Sequence, residues 1–115
     1  MVENYDNTKN NFSDLKQPAM HISHEESGNK GIFFIKESDN VIAEMTYYLP
    51  GDSTVIIDHT WVDDALRGKK VGNDLIEKAV EFARARKYTI IPQCSFAKTV
   101  FGRDKAKYKD ILQAG

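Results

Sequence analysis

The chain has 115 residues, 41% of them hydrophobic, with 16 Lys/Arg against 17 Asp/Glu and a single cysteine, Cys94. That length suits one domain with a modest core, and one cysteine excludes an internal disulfide. No stretch approaches the roughly 20 apolar residues of a membrane span, and the polar N-terminus has no apolar signal core. The expected setting is cytoplasmic, with no membrane partner.

The near-zero net charge hides an asymmetry. Residues 1–66 carry 4 Lys/Arg and 12 Asp/Glu, whereas residues 67–115 carry 12 and 5. A basic half suits a polyphosphate or a nucleic acid. Nucleic acid ranks lower, because the chain has neither an aromatic RNA-binding strand motif nor zinc-ligand spacing.

Residues 1–19 are polar and read as a flexible leader, leaving 20–115 as the folded domain. A first strand is expected over Met20–Glu26, with a turn at Ser27-Gly28-Asn29. Gly31–Ser38 carries Ile32, Phe33, Phe34 and Ile35 and reads as a second strand. Asp39-Asn40 suits a two-residue hairpin turn. Val41–Leu49 follows as a third strand, then a turn at Pro50-Gly51-Asp52, then a fourth strand over Thr54–Val62. These four make an antiparallel meander.

The pattern then changes. Leu75, Ile76, Ala79, Val80 and Ala83 recur at helical spacing within Gly72–Lys87. Thr89–Gln93 is a short strand. Strand, helix and strand form a βαβ unit, so the fourth and fifth strands should run parallel. Pro92 cannot donate to a ladder, so pairing should fail there. A second helix starts at Ser95, and a last short helix is expected around Lys107–Leu112. The fold class is α/β (α+β): a mixed sheet in which a meander leads into a βαβ unit with splayed parallel strands.

Between the fourth strand and the first helix lies Arg67-Gly68-Lys69-Lys70-Val71-Gly72-Asn73. Glycines in a strand-to-helix loop expose backbone N–H groups at a helix N-terminus, where the dipole favours anions. Arg67, Lys69 and Lys70 add full charges. The loop fits a pyrophosphate site, although glycines used only as turn residues and solvated cations would look the same.

Cys94 stands where the fifth strand ends and a helix begins, a place that favours the thiolate. A small buried hydrophobe is the plainer reading. With period 2, Val55, Ile57, His59 and Trp61 share one face of the fourth strand. His59 would then approach Cys94 and act as its proton partner, or be an ordinary surface histidine. His21 and His24 fall in a strand without a Cys/His cluster, so no metal is expected. Tyr108 reads as a core anchor, with a general acid as the other option.

These residues resemble the GNAT superfamily of acyl-CoA N-acyltransferases. The family loop is Arg/Gln-x-x-Gly-x-Gly/Ala. Arg67 and Gly72 match its ends, and Lys70 stands where the first glycine is expected. Three further segments look like the small single-domain YjdJ-type members. They are His59-Thr60-Trp61-Val62, Ile91-Pro92-Gln93-Cys94-Ser95-Phe96 and Tyr108-Lys109-Asp110-Ile111-Leu112.

The resemblance implies acetyl-CoA as cosubstrate and acetyl transfer to an unidentified amine, with Cys94 beside the thioester. It implies coenzyme contacts along Trp61, Val62, Arg67, Gly68, Lys69 and Lys70, and along Val71, Gly72, Asn73, Ser95 and Phe96. The splay near Pro92 would admit the pantetheine arm. Direct transfer, a route through acetyl-Cys94 with His59, and a coenzyme A-binding regulatory module with little turnover all stay open.

Overall fold

The computed structural model describes residues 21–51, 53–66 and 68–113. The expected leader 1–19, Met20, Asp52 of the expected turn, and Arg67 of the anion loop lie outside the described residues. Five strands form one mixed sheet in the order β1 (Ser23–Ser27), β2 (Lys30–Glu37), β3 (Asn40–Tyr48), β4 (Thr54–Val62), β5 (Thr89–Pro92). The first three pairings are antiparallel and β4 pairs β5 in parallel. The meander and the βαβ unit are as expected.

Helix α1 (Val71–Arg86) crosses between β4 and β5. It buries Leu75, Ile76, Ala79, Val80 and Ala83 against one sheet face made by Phe33, Ile35, Ala43, Met45, Tyr47, Val55 and Ile57. Each large aliphatic side chain among them contributes about 1.5–3 kcal/mol by leaving water. The helix stops at Lys87, whose φ of 61° is left-handed and whose N–H returns to Ala83 and Arg84. No helix among the described residues is long and apolar enough to cross a membrane.

Three departures from the sequence reading matter. The β2–β3 turn is Ser38-Asp39, and Asn40 instead pairs with Glu37. The buried face sets the register, because a slip of one residue would turn Phe33 and Ile35 outward. The final segment is not a helix. Residues 104–111 are successive turns, after which Leu112 bridges Ile90 and Gln113 N–H donates to Ile90. Tyr108 and Ile111 are nevertheless buried, as expected.

The third departure is a bulge in β4. Thr46 faces His59 and Tyr47 faces Ile57, so Asp58 is an extra residue in the ladder. Its carboxylate accepts a 2.7 Å hydrogen bond from Thr46 Oγ1. A bulge inverts the alternation beyond it. Val55 and Ile57 therefore share the core face with Thr60 and Val62, and His59 and Trp61 turn to the opposite face.

The turns after α2 (Ser95–Arg103) are clamped to α1. Tyr108 O–H donates to Glu77 at 2.6 Å, Lys107 Nζ reaches the same oxygen at 2.8 Å, and Arg84 holds Asp110 through two bonds of 2.9 and 3.0 Å. Burial alone would raise the Glu77 carboxyl, but the Lys107 and Tyr108 hydrogen bonds outweigh it and leave it below the usual range. Burial and the Glu77 bond push the Tyr108 phenol upward. Tyr108 is thus an anchor between α1 and the last segment.

Candidate active site

The β4–β5 ladder ends early. Ile57 pairs with Pro92, the last residue of β5, while β4 runs on to Val62. Gln93 N–H and Cys94 N–H both donate to Ile57 O, at 2.8 and 3.2 Å. Beyond that point the strands part, because Pro92 has no N–H to donate and the chain turns into α2. From His59 onward β4 keeps its pairing to β3, and no β5 residue pairs with its other edge.

Cys94 is the N-cap of α2. Its Sγ accepts from Ala97 N–H at 3.4 Å and lies 3.4 Å from Thr60 Oγ1. The thiol is half-buried. Thr60, not His59, is its neighbour on β4. His59 projects from the other face, where Nε2 lies 3.1 Å from Glu44 Oε2. Period 2 paired His59 with Ile57, and the Asp58 bulge is why the two residues part.

The anion loop is bounded by a short 3-10 turn at Asp64–Leu66 and by α1. Gly68 has a φ of +80° and Lys70 one of 59°. Lys70 caps α1 without a side-chain hydrogen bond. The N–H groups of Val71, Gly72 and Asn73 open the helix and have no carbonyl one turn back to bond within it. Gly72 is closed in by Phe96, since a Cβ there would stand 2.5 Å from Phe96 Cζ. This glycine therefore lets the starts of α1 and α2 approach.

A groove of about 470 Å³ runs over these groups, lined by Thr60, Val62, Leu66, Gly68, Lys70, Val71, Gly72, Asn73 and Phe96. It gathers seven of the residues expected to contact a coenzyme. Lys69 and Ser95 are exposed and outside its lining, and Trp61, 44% exposed, faces the other side of the sheet. N–H groups at a helix start, cations and a groove open to the splayed edge of β4 fit a pyrophosphate with an extended arm.

Residues 32–111 match the model of the family described as GCN5-related N-acetyl-transferase. The chain belongs to the GCN5-related N-acetyltransferases. It is 35% identical to a GCN5-like N-acetyltransferase from Staphylococcus aureus, with a TM-score of 0.65 over 84% of this chain and 90% of that one. The fold is shared with a ribosomal-protein-alanine N-acetyltransferase from Brucella melitensis biovar Abortus 2308, at 18% identity and TM-score 0.53 over 77% and 65% of the chains. It is also shared with a GNAT family acetyltransferase from Elizabethkingia anophelis solved with acetyl-CoA bound, at 14% identity and TM-score 0.54 over 67% and 53%. No curated protein matches the sequence.

As a member of this family the protein is an acetyl-CoA-dependent N-acetyltransferase, with acetyl-CoA as its cosubstrate. Against the family loop, Lys70 occupies the place of the first glycine, and its φ is left-handed, a conformation that glycine adopts without strain. A non-glycine residue there costs about 1–2 kcal/mol. Lys70→Gly is expected to raise unfolding stability by about 0.5–1 kcal/mol once the greater chain entropy of glycine is set against the strain. The same change removes an ammonium group. Calorimetric titration should show coenzyme A bound several-fold more weakly at low salt, with the difference shrinking at high salt.

Proposed function

We propose that this protein transfers the acetyl group of acetyl-CoA to an amine, with Cys94 as acyl carrier and His59 as proton acceptor for the amine. The N–H groups of Val71, Gly72 and Asn73 would hold the pyrophosphate, with Arg67, Lys69 and Lys70 supplying charge. The edge of β4 near Val62 would take the pantetheine arm, flanked by Phe96, with Trp61 and Ser95 at the ends of the splay. Bound acetyl-CoA supplies a thioester whose carbonyl carbon is open to a nucleophile.

In the first half-reaction the Cys94 sulfur bonds to that carbon as the coenzyme's C–S bond breaks. The thiol proton passes by way of Thr60 to the departing sulfur. In the second, the amine nitrogen bonds to the acetyl carbon and the bond to Cys94 breaks; His59 takes the amine proton and releases it to solvent, and the Cys94 thiolate regains a proton by way of Thr60. Amine and acetyl-CoA become amide and free coenzyme A. The acetyl group would sit in the splay between the two sheet faces, with Cys94 and Thr60 on one side and His59 on the other.

The observation that carries this reading is the position of the Cys94 thiol. It caps α2 beside Thr60 where the β4–β5 ladder has just ended. The Glu44 carboxylate beside His59 Nε2 supports the base, because it holds the ring in place.

Intact-protein mass spectrometry after incubation with acetyl-CoA tests it. Wild type should gain one acetyl group and lose it on adding amine, and Cys94→Ala should gain none. His59→Gln should still be acetylated but release acetyl to amine at least 100-fold more slowly, the usual worth of a positioned base. Amine acetylation that survives in Cys94→Ala would leave direct transfer. Bound coenzyme with neither adduct nor acetylated amine would leave a binding module.

A further inference from the structure

A second groove beside β5 is larger than the coenzyme groove and differs from it in chemistry. It encloses about 730 Å³, within the range of sites that take a small molecule. Its floor is apolar, from Ile91, Pro92, Phe101 and Leu112. Lys98, Lys105 and Lys109 also line it, and no carboxylate among the described residues does.

Three other cations are engaged. Arg84 pairs with Asp110, Arg86 with Glu26, and Lys107 with Glu77. Lys98, Lys105 and Lys109 form no ion pair among the described residues. Three unneutralised ammonium groups around one concave apolar surface create a field that favours an anion. Their mutual repulsion is relieved when one binds.

The groove also leads to the reacting centre. Gln93 lines it and directly precedes Cys94. Ile90 is in the core and Ile91 alternates away from it, on the sheet face that carries His59 and Glu44. The coenzyme groove begins at α1, on the opposite face.

Resting on the acetyl-transfer reading, we propose that this groove seats the acceptor, a small amine that carries an acidic group and an apolar portion. The acidic group, a carboxylate or phosphate, is held by Lys98, Lys105 and Lys109. The apolar portion lies on Ile91, Phe101 and Leu112, and the amine reaches the splay past Gln93.

The test is acceptor selectivity, read as release of free coenzyme A thiol. The acidic probes are L-glutamate, O-phosphoserine and leucyl-glutamate. The controls are glutaminamide, leucinamide and spermidine. The acidic set should show kcat/KM at least tenfold above the controls, and high salt should erode the difference. Combining Lys98→Gln, Lys105→Gln and Lys109→Gln should raise KM for the acidic set at least tenfold and leave coenzyme A affinity and the thermal midpoint unchanged.

Gly102→Leu is the second variant. Gly102 lines the groove, has no positive φ, and a Cβ there meets nothing within 4 Å. The leucine would stand in the groove without straining the fold, and should raise the same KM values.

A preference for neutral or cationic amines overturns the proposal. So does acidic preference that survives both variants, or an equal loss of coenzyme A affinity in the triple variant. If coenzyme A binds and no amine is acetylated, the acetyl-transfer reading has failed and the groove is judged by NMR. Shifts of the Gly102 amide with O-phosphoserine, lost in the triple variant, keep the anion seat, and their absence removes it.

Discussion

Gly31→Ala is expected to lower unfolding stability by about 3 kcal/mol. Gly31 lies directly across the β2–β3 ladder from Tyr47. A Cβ at Gly31 would overlap the hydroxyl end of the Tyr47 ring, far closer than real Cβ contacts allow. The ring cannot step aside at low cost. Tyr47 is 2% exposed, and its O–H is joined to His24 Nε2 at 2.6 Å. His24 in turn stacks on Phe33 at 4.1 Å and meets the edge of Phe82 at 4.9 Å.

Burial pushes the Tyr47 phenol up to about 12, so it stays protonated at any ordinary pH. Moving the ring breaks that bond and opens the cluster at once. Overpacking alone costs about 1–3 kcal/mol, and each aromatic pair lost adds about 0.5–1.5 kcal/mol beyond its area. Urea unfolding would measure the change, and the thermal midpoint should fall by roughly 10–20 °C for a domain of this size. Gly51→Ala is the control: nothing lies within 4 Å of its Cβ, so it should stay within about 0.5 kcal/mol of wild type. A Gly31→Ala protein as stable as that control would mean the ring has a second resting place.

Legibility in the sequence followed the range of each interaction. The meander, the crossover helix and the parallel β4–β5 pair rest on local periodicity, and Val55–Ile57, Leu75–Ala83 and Thr89–Pro92 display it openly. The loss of pairing near Pro92 was legible too, since a missing N–H is a property of one residue. The bulge at Asp58 was not. Nothing in Ile57-Asp58-His59 marks an extra residue, and one inserted position moved His59 and Trp61 to the other face while bringing Thr60 to Cys94.

The last segment was misread for a related reason. Tyr108, Ile111 and Leu112 have helical spacing, yet Glu77, Arg84 and the open edge of β5 take the backbone and side chains that a helix would need. The lysine-lined groove draws on residues from Ile91 to Gln113, so no short motif announces it. The left-handed φ of Lys70 was not legible, since nothing in Lys69-Lys70-Val71 marks it.

Gly72→Ala is expected to separate coenzyme binding from folding. The new methyl would stand 2.5 Å from Cζ and 2.9 Å from Cε2 of Phe96. Unlike Tyr47, Phe96 is half-buried and borders a groove, so its ring can swing. The swing costs about 1 kcal/mol, at the low end for overpacking. Alanine in place of glycine in a helix returns up to about 1 kcal/mol. Stability should therefore change little.

Coenzyme A affinity should not be spared. Phe96 can leave Gly72 only by turning into the space shared with Thr60 and Val62, which is the coenzyme groove of the proposal. A tenfold rise in Kd, about 1.4 kcal/mol, is the least expected. The cause is separable by a double-mutant cycle. In a Phe96→Ala background the added methyl meets no ring, so Gly72→Ala should then cost nothing further in affinity. If the cost persists there, the methyl is obstructing the N–H groups of α1 directly. If Gly72→Ala binds coenzyme A as wild type does, the groove over Gly72 and Phe96 is not where the coenzyme lies.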